Sequence, residues 1–258
     1  MALDITRLRR ALENESFFRE WIYRDEVHST MDLARERAEA DAPEGTIVIA
    51  GRQMAGRGRR GRGWESSEGG LWFSLLLRPP IELCQAGCLS VLLAVAVAQA
   101  LREHYALPVL IKWPNDLLLN SKKLGGILAE LVSVGGRFDW LIVGIGINVN
   151  NPLPQGARIP PISLSEALGR LVPLEDCFAV VLKGIAQEYR RFLGEGFESV
   201  QQRWPEFSAL SDGVWIHKGE RRFEARICGL SELGELIVER AGRIEELAAE
   251  EVTLSIKG

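Results

Sequence analysis

The chain has 258 residues, is 47% hydrophobic and 26% charged, and carries a formal net charge of −4. Such values fit a globular protein with a substantial core and exclude the overall basic balance expected of a chain that lives on nucleic acid. Cys84, Cys88, Cys177 and Cys228 include only one close spacing, so they read as free thiols in a reducing compartment and not as a zinc site. The first ten residues hold no apolar signal core, and the longest apolar run, Leu89 to Ala98, is too short to span a bilayer, which points to the cytoplasm.

Residues 4–20 read as one amphipathic helix with Ile5, Leu8, Leu12 and Phe17 on a shared face. That leaves no room for a winged helix-turn-helix ahead of the core. Tyr23 to Val27 reads as a short strand, and a helix opens at His28-Ser29-Thr30-Met31-Asp32 and runs through Ala40. Ser29 with Asp32 three residues on fits a capping box, which alone explains the serine. The functional alternative is that Ser29 or Thr30 holds a polar ligand atom beside free helix N–H groups. His28 has no metal-ligand partner at helical spacing and reads as structural. Thr46 to Ala50 and Leu71 to Leu77 read as buried strands, and a long apolar helix follows from about Gly87 to His104.

A strand over Val109 to Lys112 ends at Trp113-Pro114-Asn115-Asp116, where the proline forces a turn and presents polar groups. A meander follows: Leu117–Asn120, Lys123–Ser133 and Asp139–Asn150. Residues 150–161 form a Pro-rich loop, followed by helices at Ser163–Leu168, Leu174–Leu193 and Gly196–Trp204, the last ended by Pro205. From Ser211 the pattern changes to five short strands: Gly213–His217, Arg222–Cys228, Glu235–Glu239, Arg243–Ala248 and Val252–Ile256. They suggest a small SH3-like barrel, with a boundary that divides the chain into residues 1–209 and 210–258.

Between two core strands lies Gly56-Arg57-Gly58-Arg59-Arg60-Gly61-Arg62-Gly63-Trp64. Glycines permit close backbone approach, and arginine presents a planar fork suited to phosphate or carboxylate. Four like charges repel unless an anion sits among them, so the stretch reads as a lid that orders around an anionic ligand. The plainer alternative is a solvated basic linker, but such runs usually sit at chain ends. Gln53 can donate and accept at once, as an amide-like or urea-like edge requires. Lys123-Leu124-Gly125-Gly126 places a lysine at a strand mouth before two glycines that let a ligand lie against the backbone. Gly144-Ile145-Gly146-Ile147-Asn148 is similar, with Asn148 as its polar end, although its glycines could instead make room for a packed helix.

Taken together, Ser29-Thr30, Gln53 with Gly56–Trp64, Lys112–Asp116 with Lys123–Leu128, and Gly144–Asn148 resemble the motifs of the biotin protein ligases over roughly residues 22–256. The resemblance implies an α+β fold: a mixed, mostly antiparallel sheet flanked by helices, related to class II aminoacyl-tRNA synthetase cores, plus the small C-terminal barrel. It implies that biotin, ATP and magnesium give biotinyl-adenylate, and that the biotinyl group moves to a lysine of a biotin carboxyl carrier domain. By motif match Ser29, Thr30 and Gln53 hold the ureido ring, with Met31 and Gly126 beside the biotin. Arg57, Gly58 and Arg59 belong to the lid. Arg60, Arg62, Trp64, Lys112 and Asn115 fall on the nucleotide side, and Asn148 near the ribose and adenine. Lys123 falls at the lysine that contacts the biotin carboxylate; Lys123 and Arg59 are the candidate catalytic residues, and Asp116 is the candidate magnesium ligand.

Three positions depart from the family pattern. Met31 stands where asparagine is frequent, Glu250 where glycine is frequent, and Ser255 where some members carry an arginine near the nucleotide. A lipoate ligase is the nearest rival, but lipoate has no ureido ring and the full arginine-glycine loop belongs to the biotin branch. A nucleic-acid module built on Gly56–Gly63 would bind with steep salt dependence and has no use for Lys112–Asp116. Intact Lys123 and Asn115 argue against an inactive biotin sensor. The implied partners are a carrier domain, with a second copy of the chain as a further candidate, and neither DNA nor membrane.

Overall fold

A computed structural model describes residues 3–210, 214–249 and 252–256, residues 255 and 256 without their side chains. Glu250 lies outside the described residues, as does the side chain of Ser255. The expected helix over 4–20 is cut short. It forms only α1 (Ile5–Ala11), capped by Asp4 accepting from the Arg7 N–H. The chain then turns so that Phe17 meets Tyr189 (5.2 Å between rings) and Phe18 meets Trp21 (5.8 Å). Burying those rings outweighs continuing a helix through Asn14 and Ser16, both poor helix formers.

Seven strands form the main sheet: β1 (Glu20–Val27), β2 (Thr46–Gln53), β3 (Leu71–Leu77), β4 (Leu110–Lys112), β5 (Asp116–Leu119), β6 (Lys122–Val134) and β7 (Arg137–Ile147). Their order is β1-β2-β3-β7-β6-β5-β4. β1 and β2 run parallel, and the other pairings are antiparallel. The sheet is therefore mixed and mostly antiparallel, as expected.

The alternation of side chains splits the sheet into two faces. On one, α2 (Thr30–Glu39) lays Met31, Ala34 and Ala38 against Val48, Leu76 and Ile142. The other is covered by α3 (Ala86–Tyr105) and α5 (Leu174–Glu195), with the short α4 (Leu164–Leu168) leading into α5. Within α3 every position from Val91 to Ala98 is buried. The segment Leu83–Tyr105 is long and apolar enough to cross a membrane, so the ten-residue run understated it. Here the helix is the central helix of the core, packed against the sheet and α5.

α6 (Glu198–Phe207) continues past Pro205, which lies inside its last turn instead of ending it. The strands β8 (Val214–Lys218), β9 (Arg221–Leu230), β10 (Leu236–Arg240), β11 (Arg243–Leu247) and β12 (Val252–Ile256) form an antiparallel sheet in the order β11-β10-β9-β8-β12. It is packed onto the rest: Val214, Ile216 and Leu236 share one apolar cluster with α3 and α5, and the Trp113 indole donates to the Gly234 carbonyl at 3.1 Å.

Candidate active site

A cleft of about 180 Å³ opens on the α2 face, floored by β7 and β6 and roofed by the arginine-glycine loop. Of the candidate residues, Ser29, Thr30, Met31, Gln53, Arg57, Gly58, Arg59, Arg60, Arg62, Trp64, Lys112, Asn115, Asp116, Lys123 and Gly126 all line it. Asn148 does not. It is buried behind the cleft, where its side chain donates to the Lys123 carbonyl at 3.4 Å and accepts from Asn151 at 3.1 Å. Its backbone also donates to the Leu124 carbonyl, so it braces the strand that carries Lys123.

At one end the polar groups form a connected set. Ser29 caps α2 by accepting from the Met31 N–H at 3.3 Å. The expected reciprocal contact from Asp32 is missing, because that carboxylate turns to Arg57 and His28. The Gln53 carbonyl accepts from the Thr30 N–H at 2.8 Å and from the Thr30 hydroxyl at 3.0 Å, while its amide donates to Ser66 at 2.8 Å. The Thr30 hydroxyl also lies 2.8 Å from that of Ser74. Ser66 and Ser74 escaped the sequence reading. Neither sits in a motif, and only strand pairing brings them near.

Two glycines of β7 shape the floor. A Cβ on Gly144 would stand 2.7 Å from the Met31 sulfur, and one on Gly146 would stand 2.5 Å from the Trp64 indole nitrogen. Both glycines therefore make room for side chains that line the cleft. The Trp64 indole N–H is buried without a hydrogen-bond partner, an unmet donor beside the cleft.

The opposite end is cationic. Lys123 Nζ lies 2.6 Å from Asp116 Oδ1 and 5.0 Å from the Trp64 ring centroid. The Asn115 amide donates to the Ile127 carbonyl at 2.6 Å and so pins the turn after β4 to β6. Burial lowers the Lys112 pKa from its ordinary value. Asp116 opposes that shift, and Arg158, Lys123 and Arg62 add to it. A desolvated lysine among like charges is a place where an anion is strongly favoured.

The loop itself is a small folded hairpin. The Trp64 N–H donates to the Gly56 carbonyl and the Gly58 N–H to the Arg62 carbonyl, both at 2.8 Å. A Cβ on Gly56 would lie 2.5 Å from the Trp64 carbonyl, so only glycine closes the hairpin here. Arg60 takes a left-handed backbone (φ 58°), a cost of about 1–2 kcal/mol. Its guanidinium is tied to Thr253 and to the Val252 carbonyl, and that of Arg59 to the Ala249 carbonyl. Val252, Thr253 and Leu254 line the cleft as well. The second sheet thus supplies one wall, a contribution that no local motif announces.

A model of the biotin/lipoate A/B protein ligase family matches residues 22–148. The bifunctional ligase/repressor BirA of Bacillus subtilis is 35% identical over 257 residues, which covers 98% of this chain and 79% of that protein. The chain belongs to the biotin protein ligases. A biotin–[acetyl-CoA-carboxylase] ligase of Paracoccus denitrificans is 32% identical over 80% of this chain and 88% of its own length. Among solved structures, the biotin protein ligase from Aquifex aeolicus in complex with biotin and ATP superposes with a TM-score of 0.80 at 34% identity, covering 93% of this chain and 100% of that one. Membership in this family fits one cleft with a hydrogen-bonding end and a cationic end. The lipoate branch shares the family model; the Paracoccus enzyme and the Aquifex structure carry biotin in their names.

Proposed function

We infer that the chain is an ATP-dependent ligase that activates biotin as biotinyl-5′-AMP and transfers the biotinyl group to a lysine of a carrier protein. The observation that carries this reading is the polarity of the cleft. Thr30 and Gln53, bonded to each other and backed by the buried Ser74 and Ser66, lie at one end, and Lys112, Lys123 and Arg62 lie at the other. Such an arrangement suits a ligand with a urea-like head and an anionic tail that meets a nucleotide.

In the first step a biotin carboxylate oxygen attacks the α-phosphorus, the bond to the β-phosphate breaks, and pyrophosphate leaves. Both reactants are anions, so positive charge fixed in the cleft lowers the barrier as charge redistributes. We assign contact with the carboxylate to Lys123 and the nucleotide side to Arg60, Arg62, Trp64, Lys112 and Asn115, with Arg59 covering the adenylate. In the second step the carrier's lysine amine attacks the acyl carbon, AMP leaves, and the amine sheds a proton. Ser29, Thr30 and Gln53 are the proposed ureido contacts. Asn148 is proposed to act indirectly, by bracing the β6 backbone that carries Lys123.

Magnesium enters the proposal as the partner of ATP. Asp116 is the carboxylate that lines the cleft, and no cluster of three His, Cys, Asp or Glu side chains suited to a metal occurs among the described residues. That fits a cation held chiefly by phosphates with one carboxylate and water. We further propose two units, residues 1–209 and 210–258, the second an SH3-like barrel. The Ala209 N–H donating to Ile111 marks where the chain leaves the main sheet, and the strands from Val214 onward support this division. Four free cysteines support a cytoplasmic setting.

Competition between biotin and lipoate in a pyrophosphate-release assay tests the reading. Biotin alone should drive release, and preferential release with lipoate would move the chain to the other branch of the family.

A further inference from the structure

Trp113 stands between Lys112 and Asn115 in the turn that joins β4 to β5. β4 is a three-residue strand at the edge of the main sheet, so few backbone bonds fix the end that carries Lys112. The turn is tied from two sides. On the side of β6, the Asn115 amide donates to the Ile127 carbonyl and the Ile127 N–H to the Asn115 carbonyl at 3.0 Å. On the other side the buried Trp113 ring directs its N–H to the Gly234 carbonyl of the second sheet. A buried N–H left without an acceptor costs more than its bond contributes, so this carbonyl fixes the ring and with it the backbone of the turn.

The acceptor is itself held rigidly. Residues 231–234 join β9 to β10. The Ser231 hydroxyl accepts from the Leu233 and Glu235 N–H groups, and the Gly234 N–H donates to the Ser231 carbonyl at 3.0 Å. Gly234 has a left-handed backbone (φ 78°), and a Cβ there would stand 2.9 Å from the Cys88 Cα in the first turn of α3. A Cβ on Gly87 would stand 2.9 Å from the Leu233 carbonyl oxygen. The two glycines let this turn seat backbone against backbone on α3.

We propose that Trp113 is a positioning residue for ATP in adenylate formation, acting through Lys112 and Asn115, and that the Ser231–Gly234 turn is its anchor. This rests on the ligase reading for its substrate, while the contact itself does not depend on it. Lys112 and Asn115 share the backbone of one short turn with Trp113, so a shift of the ring moves both. The proposed ureido contacts Ser29, Thr30 and Gln53 belong to the start of α2 and the end of β2, and none of the anchor's bonds reaches them. The anchor therefore acts on ATP and leaves biotin binding unchanged.

The test compares the full chain with Trp113→Phe, which keeps the ring and drops the N–H, with Gly234→Ala, which drives a methyl group onto Cys88, and with the double variant. Gln201→Met is the control. It cuts a different tie of the second sheet, the bond from the Gln201 amide to the Leu230 carbonyl at 3.0 Å. The readouts are KM for ATP in pyrophosphate release, Kd for biotin by calorimetry without ATP, and hydrogen exchange at residues 110–116. Trp113→Phe should raise KM for ATP about two- to tenfold, the range of one net hydrogen bond, speed exchange at 110–116 and leave the biotin Kd as it was. The double variant should not exceed the larger single effect, since both changes break one contact. Gln201→Met should leave KM for ATP unchanged. An unaltered KM for ATP in Trp113→Phe would overturn the proposal. So would an equal rise in the biotin Kd, an equal effect of Gln201→Met, or additive effects in the double variant. If Gly234→Ala does not fold, Trp113→Phe beside Gln201→Met still decides. If the unaltered chain releases no pyrophosphate, the ligase reading fails, while exchange at 110–116 still judges the anchor.

Discussion

Lys123 Nζ stands 2.6 Å from Asp116 Oδ1, across the β5–β6 pairing that sets Asp116 opposite Gly126. The lysine is held over the glycine backbone by a carboxylate and beside the Trp64 ring, so its position is set before substrate arrives. Removing one such preorganised donor typically costs about 10²–10³ in rate. Lys123→Ala should lower adenylate formation by at least that order. Lys123→Arg should recover only part, because a planar fork cannot occupy the same point. Transfer from preformed biotinyl-adenylate should suffer less, since the repulsion between carboxylate and phosphate is already overcome. Single-turnover adenylation beside single-turnover transfer makes the comparison, and equal losses in both steps would contradict the assignment.

Gly125 and Gly126 are neighbours with opposite demands. A Cβ on Gly125 would come within 2.6 Å of the Gly146 carbonyl, which cannot move without disturbing the sheet. A Cβ on Gly126 would meet nothing closer than 3.7 Å, at the Lys123 side chain. Gly125→Ala should therefore lower stability by about 1–3 kcal/mol, the usual cost of overpacking. Gly126→Ala should leave the melting temperature near its original value and weaken biotin binding, because the methyl group projects into the cleft. Thermal denaturation paired with calorimetric titration separates the two.

Lys112 couples nucleotide binding to protons. Burial first, then nearby cations, lower its pKa in the empty fold. Between that lowered value and 10.5 the unfolded chain binds more protons than the native one, so this residue makes stability rise with pH across the window. An anionic ligand favours the charged lysine and raises its pKa again. ATP binding in that alkaline window should therefore take up protons. Calorimetry in two buffers of different ionisation heat would show the uptake, and Lys112→Met should abolish it.

The thiols should divide into two classes. Burial pushes the Cys88 thiol up to about 11 and the Cys177 thiol up to about 12, while Cys84 and Cys228 are exposed. Because the thiolate is the reactive form, a disulfide reagent should titrate Cys84 and Cys228 rapidly in the native chain. Cys88 and Cys177 should follow only on unfolding. Fast reaction of all four in the native state would contradict the packing around α3 and α5.

Much of this was legible in the chain because its signals are local. The apolar run Leu71–Leu77, the helical spacing in Leu174–Leu193 and the breaks at Pro114 and Gly135-Gly136 mark their elements within a residue or two. The run from Gly56 to Trp64 announces a binding loop by composition alone. What stayed hidden depends on contacts between distant segments. Nothing near Thr253 marks it as a wall of the cleft, since Arg60 reaches it only once the second sheet is docked. Asp32 reads as half of a capping box until the fold brings Arg57 to it. The stretch after Ala11 keeps helical spacing as far as Phe17, and only the rings it meets on α5 show why the helix stops. Asn148 ends a glycine-rich strand that lines the cleft, yet its own side chain turns behind β6.

The central claim is that one cleft joins biotin to AMP and passes it on. The most direct measurement mixes the full chain with biotin, ATP and magnesium, without a carrier, and follows bound products by mass spectrometry before a biotin carboxyl carrier domain is added. The account predicts one equivalent of biotinyl-5′-AMP held on the protein with pyrophosphate released, then its conversion to AMP and a biotinylated carrier lysine. Release of pyrophosphate with no retained adenylate, or no release at all, would contradict it.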